Sequence, residues 1–410
     1  MVFCVTFLTI NLFVLQDISL KKLIRTASFI TLLMAISACA NKILHDKNVK
    51  ERANVNIPIN KMLFSDDKEK LNIKNDIFTL SQSQQSIILL AVKEKQDQGL
   101  KLHKALEAVL ITKLSNFNYY GETYNAETTM RLNSGNCMSL AVLTTAYAKF
   151  LGLKFSYREV DTLPVFEKEN NLILSSSHVQ TVIYDADFVE DADTIYLQKP
   201  GVVIDYFPSK NNRVGKAFDE STFVSMYYRN LAADALVDND LSSAFMLAKK
   251  AHNYNKKNIE AINLLAVIHR RADDEKGAEN IYQAGLQIEQ SSLALISNYI
   301  MLLRKQHRFT EAQSYQDKLA QLDDPNPYHW LEQAYIAEQR HNNNKAIKYY
   351  QKALVNAPYL NQAYLGLYNI YRERGHFAKA KIILKKALEW TYEIEQRKQY
   401  KYKLYSLAQL

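Results

Sequence analysis

The chain has 410 residues, of which 48% are hydrophobic and 23% are charged, so it is long enough for more than one packed domain. Its 10 glycines and 7 prolines are too few for a β-sandwich, a propeller or a low-complexity chain. The formal charge of +8 at pH 7 is spread among acidic residues, without the compact basic and aromatic block typical of a nucleic-acid binder. We therefore expect a solvated basic surface and no nucleic-acid partner.

An export signal is predicted at the N-terminus. Lys21, Lys22 and Arg25 precede a short apolar stretch that ends in Ile-Ser-Ala-Cys at residues 36–39. A positive segment, an apolar core of about a dozen residues and small residues at its end are typical of a secretory signal. The core is shorter than the ~20 residues that a membrane-spanning helix needs. The last four residues resemble the lipobox of bacterial lipoproteins.

That resemblance implies that residues 1–39 are a signal segment and that Cys39 carries lipid, which anchors the protein in the bacterial cell envelope. Ala40 follows the cysteine, and by family analogy the absence of Asp there favours the outer membrane, with the protein facing the periplasm. The alternatives are an uncleaved membrane anchor or a coincidental cysteine, and a true translation start near Leu20 would account for residues 1–19. Residues 40–75 are polar and charged, which predicts a tether with a short local element at residues 60–64.

Residues 76–223 are predicted to form an α+β domain. Apolar residues at three- and four-residue steps indicate helices over 83–91 and 100–114, and a third helix runs to residue 151 and stops at Gly152. Strand-like runs follow at 154–160, 178–184 and 202–206. Helices followed by strands indicate the α+β class.

Cys137 is the candidate nucleophile of this domain. It would be the only free thiol in an exported protein whose Cys39 is lipidated and whose Cys4 is removed. Asn136 can cap the third helix and so place Cys137 in its first turn. There the helix dipole and the unpaired N–H groups are expected to favour the thiolate and to stabilise an oxyanion.

A thiolate needs a base, and the domain offers only His103 and His178. His103 is predicted on a polar helix face, whereas His178 begins a strand that could hold the ring rigidly. Asp205, at the end of an apolar run, is the candidate to orient the imidazole, because an unpaired carboxylate there would be costly. Asp185 and Asp187 are alternatives that look like turn residues.

A Gly-Asn-Cys sequence at residues 135–137 that opens a helix, then a strand histidine, then an aspartate after an apolar strand resembles the transglutaminase-like superfamily over residues 117–208. The resemblance implies a papain-like cysteine enzyme with Cys137 as nucleophile, His178 as base and Asp205 as the orienting acid. The interval of 27 residues between His178 and Asp205 indicates a hairpin insertion over 185–199. The alternative is that Cys137 is a small packed residue in a domain without chemistry.

The C-terminal part of the chain repeats every 34 residues. The clearest series has one alanine in each unit: Ala244, Ala278, Ala312, Ala346 and Ala380. Further positions, some with large and some with small residues, recur with the same spacing. This period resembles the tetratricopeptide repeat (TPR), a helix–turn–helix unit. Five units over 224–391 and a capping helix over 392–410 are predicted, which gives an all-α TPR solenoid behind the α+β domain.

The TPR resemblance implies a concave groove that binds a protein or peptide partner. With the middle domain, it gives the hypothesis of a membrane-anchored periplasmic cysteine peptidase, amidase or amide-transferring enzyme of transglutaminase-like type whose repeats recruit a partner or substrate. The alternative is a catalytically inactive lipoprotein scaffold that works through its groove. No metal or cofactor is expected, because the chain has no Cys-x-x-Cys, no His-Glu-x-x-His and no phosphate-binding glycine loop.

Overall fold

The computed structural model describes residues 55–64, 76–119, 122–169, 172–189, 191, 194, 199–206, 213–322, 324, 326–391 and 394–407. For residues 161–169, 172–178, 213–214 and 320 it describes the backbone alone. The predicted signal segment and Cys39 lie outside the described residues. Within the described ranges, no helix is both long and apolar enough to cross a membrane.

The first part of the structure has helices before a sheet, in the order that the sequence predicts. The helices are α1 (Gln82–Asp97), α2 (Leu102–Ser115), α3 (Ala126–Leu132) and α4 (Cys137–Phe150). The strands are β1 (Asn118–Tyr119), β2 (Ser134–Gly135), β3 (Phe155–Glu169), β4 (Leu172–Tyr184), β5 (Gly201–Asp205) and β6 (Arg213–Phe218). β1 and β2 form a short parallel pair, and the other four strands form an antiparallel sheet in the order β5-β4-β3-β6.

The centre of this region is α4, which is buried along almost its whole length because it packs on the sheet. The hydroxyl groups of Thr145 on α4 and Tyr157 on β3 lie 2.9 Å apart, so Tyr157 marks the helix-facing side of the sheet. The ring of Phe223 stacks on Tyr157 with centroids 4.1 Å apart. Burial of each such side chain contributes about 1.5–3 kcal/mol. Gly152 has a φ of +69° where α4 ends, as the predicted stop requires.

Five antiparallel helix pairs and one further helix form the C-terminal part. They are α5 (Glu220–Val237) and α6 (Leu241–Tyr254), α7 (Ile259–Arg271) and α8 (Glu275–Ile288), α9 (Leu293–Lys305) and α10 (Phe309–Gln321), α11 (Pro327–Gln339) and α12 (Asn343–Asn356), α13 (Asn361–Glu373) and α14 (Phe377–Trp390), and α15 (Ile394–Leu407). The five alanines of the 34-residue series are at most 2% exposed. The chain therefore contains a TPR-like solenoid, as predicted.

The turn inside each repeat has the same backbone conformation. The residue before the cap of the second helix has a φ between +57° and +70° in all five units, at Asn239, Asp273, His307, His341 and Gly375. These positions are 34 residues apart, so the turn geometry repeats with the period of the sequence. Only the last unit has glycine, the residue that adopts this conformation most readily.

The first repeat packs directly against the antiparallel sheet of the preceding part of the chain. Phe223, which packs on Tyr157 in the sheet, belongs to α5, the first helix of the first repeat. α5 begins at Glu220, so one helix contributes to the cores of both parts of the chain. Before it, residues 57–64 of the predicted tether lie against the repeats, with the Phe64 ring stacked on Phe245 at 4.7 Å.

Candidate functional site

The residues around Cys137 explain why the chain needs glycine and asparagine there. Gly135 has a φ of +143°, and a Cβ at this position would lie 2.6 Å from the Cβ of Ser139. The Asn136 side chain caps α4 by accepting the backbone N–H of Ser139 at 3.0 Å, as predicted. Its amide also donates to the Thr123 hydroxyl at 2.8 Å. The start of α4 is therefore tied to the preceding loop, with Cys137 as the first helical residue.

Ser139 completes this anchoring. It is fully buried, and its Oγ accepts the backbone N–H of Tyr124 at 2.8 Å while donating to the carbonyl of Glu122 at 3.2 Å. These bonds fix the loop that leads into α3 against the first turn of α4. The thiol of Cys137 therefore has a defined position, and it is half-buried.

The electrostatic environment of the thiol differs from the expectation. Burial raises the pKa of Cys137 above its ordinary value, its own backbone N–H lowers it in part, and the carboxylate of Asp205 raises it further. The helix N-terminus thus favours the thiolate, but desolvation outweighs it. The expected effect of the helix start is therefore present, but it is smaller than the effect of burial, and the pKa of Cys137 is raised overall.

Asp205 ends β5 directly opposite Gln180 on β4. The Gln180 amide donates to Oδ2 of Asp205 at 2.6 Å, and the Arg158 guanidinium donates to Oε1 of Gln180 at 2.7 Å. Gln180 is only 7% exposed, so this polar chain lies in a largely desolvated place, where hydrogen bonds to a charged group are strong. The roles of Gln180 and Arg158 were not predicted from the sequence. The available signal was a glutamine two residues after the candidate histidine, in the same strand-like run.

His178 lies on β4 opposite Val160, two residues before Gln180. Because strand positions alternate between two faces, position 178 belongs to the same face of β4 as position 180. It is the diagonal neighbour of Asp205, at a distance that long side chains can bridge. The side chain of His178 lies outside what the structure describes, and its role as the base stays a prediction.

The two faces of the sheet have different neighbours. Tyr157 and Thr181 share the face that packs on α4, since the Tyr206 hydroxyl also reaches Thr181 at 2.7 Å on that face. By alternation, Gln180 and Asp205 belong to the other face. Asp205 is nevertheless close enough to Cys137 for its charge to raise the pKa of the thiol.

Both alternative aspartates, Asp185 and Asp187, lie in another part of the domain, where Lys101 is 3.4 Å from Asp187. Asp185 accepts Lys101 at 2.9 Å and lies 3.4 Å from Nδ1 of His103, and the bond from Lys101 is the main reason that the pKa of Asp185 is lowered. His103 is 5% exposed, so its predicted place on a polar face is wrong. Asp185 lies seven residues along the chain from His178, roughly 23 Å at the rise of an extended strand. It cannot orient that ring.

Tyr119 borders the site on its exposed side. It pairs with Gly135 in the short β1–β2 ladder, and its hydroxyl donates to the carbonyl of Tyr206 at 2.8 Å. Burial raises the pKa of Tyr119, and the charges of Cys137 and Asp205 raise it further. Tyr119 therefore connects the start of α4 to the end of β5 next to both candidate groups.

Among the described residues, no group of three or more His, Cys, Asp or Glu side chains is arranged so that it could hold a metal ion.

The candidate site consists of a half-buried thiol at a helix start, a carboxylate held by a buried glutamine, and the partly exposed Tyr119.

The first helices of successive repeats form a second candidate surface. Polar pairs join neighbouring units: Arg229 with Glu260, Asn263 with Asn298 at 3.0 Å, and Arg304 with Glu332 at 3.3 Å. Burial lowers the pKa of Arg229 to about 10.

Two large apolar side chains stand exposed on the same first helices. Met301 on α9 is 47% exposed and Tyr335 on α11 is 42% exposed. They are 34 residues apart, so they occupy equivalent positions in neighbouring repeats. An apolar pair on an otherwise polar face is a candidate contact for a partner.

Comparison with known proteins finds similarity in the helical part. No family model matches the chain, and no curated protein matches it. Among solved structures, PilF of Pseudomonas aeruginosa is 16% identical, with 46% of this chain and 86% of PilF covered and a TM-score of 0.36. PilW, a type IV pilus biogenesis factor, is 20% identical over 45% of this chain and 93% of its own, with a TM-score of 0.31. YrrB, a TPR protein with an unusual peptide-binding site, is 16% identical over 43% of this chain and 91% of its own, with a TM-score of 0.28.

Proposed function

We propose that this protein recruits a protein or peptide through its repeats and uses Cys137 to attack an amide carbonyl, in the manner of a transglutaminase-like enzyme. The observation that carries the proposal is the position of a half-buried thiol at the start of a capped helix, within electrostatic reach of an aspartate held in place by Gln180.

The proposed reaction uses His178 as the proton carrier. The ring takes the thiol proton, the sulfur of Cys137 bonds to the carbonyl carbon, and the carbon–nitrogen bond breaks as the ring returns the proton to the leaving amine. Backbone N–H groups at the start of α4 would stabilise the oxyanion. Water or a second amine then attacks the thioester carbon and gives a proton to the ring, the carbon–sulfur bond breaks, and the ring returns the proton to the sulfur, with an acid or a new amide as the product.

The raised pKa of Cys137 makes the role of His178 testable. A buried thiol without a partner reacts slowly near neutral pH, whereas a thiolate–imidazolium pair titrates lower. We would measure the alkylation rate of Cys137 against pH in residues 41–410, where it is the only cysteine. A reactive thiol that becomes inert in His178→Ala supports the proposal, and the exposed His376 provides the control variant His376→Ala.

Asp205→Asn distinguishes a purely electrostatic effect of Asp205 on Cys137 from a role in orienting His178, because the two roles predict opposite changes in the alkylation rate. If Asp205 acts on Cys137 only through its charge, removal of that charge lowers the pKa of the thiol and speeds alkylation. If Asp205 orients His178, the same variant weakens the pair and slows alkylation. A faster reaction in Asp205→Asn, with no effect of His178→Ala, would exclude the proposed catalytic arrangement.

The second candidate function is a scaffold without catalysis, and a specific observation favours it. Desolvation is the largest influence on the Cys137 pKa, as in a cysteine that only fills space. A scaffold predicts that Cys137→Ala preserves function, whereas changes at the repeat surface abolish it.

Recruitment through the repeats is common to both candidates. The double variant Met301→Ser and Tyr335→Ser removes the exposed apolar pair from the first helices. Phe309→Ser is the matched control, because Phe309 is 62% exposed but lies on a second helix, α10. We expect the double variant to lose proteins that copurify with wild type, and the control to retain them. Equal loss in both would contradict this assignment.

The anchor at the cell envelope is part of the same proposal. It rests on residues 36–39, which lie outside the described residues. Incorporation of labelled palmitate into the full chain, lost in Cys39→Ala and kept in Cys4→Ala, is the expected result. Labelling that survives Cys39→Ala would contradict a lipoprotein.

A further inference from the structure

An N-terminal segment, residues 57–64, occupies a defined site on the first two repeats. Ile57 is 5% exposed at one end, and the ring of Phe64 stacks on Phe245 of α6 at the other. Between them, the backbone N–H of Asn60 donates to Nε2 of His269 on α7 at 3.2 Å, although the two residues are 209 positions apart. The segment therefore contacts both repeats through apolar and polar groups.

A third element contributes to the same site. The side chain of Asp274 caps α8 by accepting the N–H of Gly277 at 2.9 Å with one oxygen. Its other oxygen accepts the Asn60 side-chain amide at 3.2 Å. Asn60 also accepts the N–H of Met62 at 3.2 Å, which turns the segment so that Phe64 can reach its partner ring. One asparagine thus connects the turn of the segment to the turn of the second repeat.

The hydrogen bonds determine the protonation state of His269. Its Nδ1 lies 2.7 Å from the carbonyl of Leu265, which can only accept, so Nδ1 carries the proton. Nε2 faces the backbone N–H of Asn60, which can only donate, so Nε2 must present a lone pair. His269 is fully buried, and without the segment this acceptor would lose the one partner that the described residues give it. A protonated ring would oppose one N–H with another.

We propose that residues 57–64 are a detachable latch, a ligand from this chain for a peptide site on the first two repeats, and that only neutral His269 holds it. Acid therefore releases the segment and uncovers the surface that carries Phe245 and His269. A peptide with a free backbone N–H, a turn like that at Asn60–Met62 and an aromatic ring four residues after the N–H would fit the vacated surface. This inference does not depend on the proposed chemistry at Cys137.

The charged groups near His269 set the direction of the pH dependence. Burial lowers the pKa of His269, while the Leu265 carbonyl and the Asp274 carboxylate raise it in part. Lys249 on α6 lies 5.9 Å above the Phe245 ring, and Lys61 follows Asn60 in the segment. Because the docked segment directs the Asn60 N–H at Nε2, the docked state disfavours a proton on that nitrogen and binds fewer protons than the free state. Docking is therefore strongest above pH ~6.5, the ordinary pKa of histidine, and weakens as the pH falls below it.

Hydrogen exchange of the full chain tests the latch. The measured quantity is the protection factor of peptides covering residues 57–64 at pH 7.5 and 5.5, since division by the intrinsic rate removes the pH dependence of exchange itself. We expect protection at pH 7.5 and a loss of up to about tenfold at pH 5.5. Phe64→Ala should lose protection at both pH values, and because it changes only the segment, the repeats should keep theirs.

Two histidine variants separate the latch from general acid sensitivity. His269→Gln stays neutral at every pH, so the change in protection between pH 7.5 and 5.5 should disappear. His252→Gln is the matched control, because His252 is a buried histidine of α6, 5% exposed, and it should behave as wild type. A segment unprotected in wild type at pH 7.5, or a pH response that persists in His269→Gln, would overturn the proposal.

A synthetic peptide of residues 57–64 tests the surface in trans. It should bind the Phe64→Ala chain at pH 7.5 more tightly than at pH 5.5, and bind wild type weakly because the site is occupied. Equal binding to both chains would show that the segment does not occupy the peptide site.

Discussion

Gly135→Ala should destabilise the first domain and displace Cys137. A residue with a Cβ at a φ of +143° is strained by about 1–3 kcal/mol. The new Cβ would also lie 2.6 Å from the Cβ and 2.7 Å from the Oγ of Ser139. Ser139 is fully buried and held by its bond to Tyr124, so relief of the clash adds about 1–3 kcal/mol of overpacking. We expect a total loss of roughly 2–6 kcal/mol.

The assay must report on the correct part of the chain. The two tryptophans, Trp330 and Trp390, both lie in the repeats, so their fluorescence would not follow α4. Hydrogen exchange of peptides from α4 gives the free energy of local opening. The alkylation rate of Cys137 should rise in parallel, because opening exposes the thiol.

Gly99→Ala is the matched control. Gly99 has a φ of +90°, but nothing lies within 4 Å of an added Cβ, so only the strain of about 1–2 kcal/mol applies. Ser139→Gly removes the clash together with the hydrogen bonds of Ser139, so in the Ser139→Gly background the added cost of Gly135→Ala should fall to that of the strain alone. If Gly135→Ala costs no more than Gly99→Ala, the close contact with Ser139 does not constrain the start of α4, and the reasoning is refuted.

Three further predictions concern other parts of the chain. Gln180→Leu removes the hydrogen bond to the Asp205 carboxylate. It should lower the free energy of local opening of α4 and β4, measured by hydrogen exchange, by about 1.5–3 kcal/mol and leave that of the last repeats unchanged. His307→Gly relieves a left-handed residue with a φ of +58° and should raise the free energy of unfolding of the repeats, measured in urea, by up to ~1 kcal/mol. A lower free energy of unfolding would contradict the strain. Burial lowers the pKa of His329 to about 4, so its contribution to stability is present above pH ~6.5 and is lost as the pH falls towards 4. Tryptophan fluorescence in urea should show this slope, and His329→Gln should reduce it.

The local features of the chain could be predicted from the sequence because their causes lie within a few residues. The 34-residue period predicted five helix pairs with buried alanines, and the structure confirms them. Asn136 predicted the start of α4, since an N-cap depends only on the next three residues. The shared α5 and the strand β6 were not anticipated, because each is defined by its packing partners more than by its own pattern.

The site required tertiary structure for a different reason. The pKa of Cys137 depends on how much water the fold removes, and that desolvation exceeds the effect of the helix N-terminus. The bond between Gln180 and Asp205 depends on strand register, where a shift of one residue would separate them. The same holds for the segment at residues 57–64, whose partner His269 is 209 positions away. By itself the sequence determined the repeats and the place of the thiol in its helix, because periodicity and capping are local. The tertiary structure decided which distant polar groups meet and how strongly burial opposes charge.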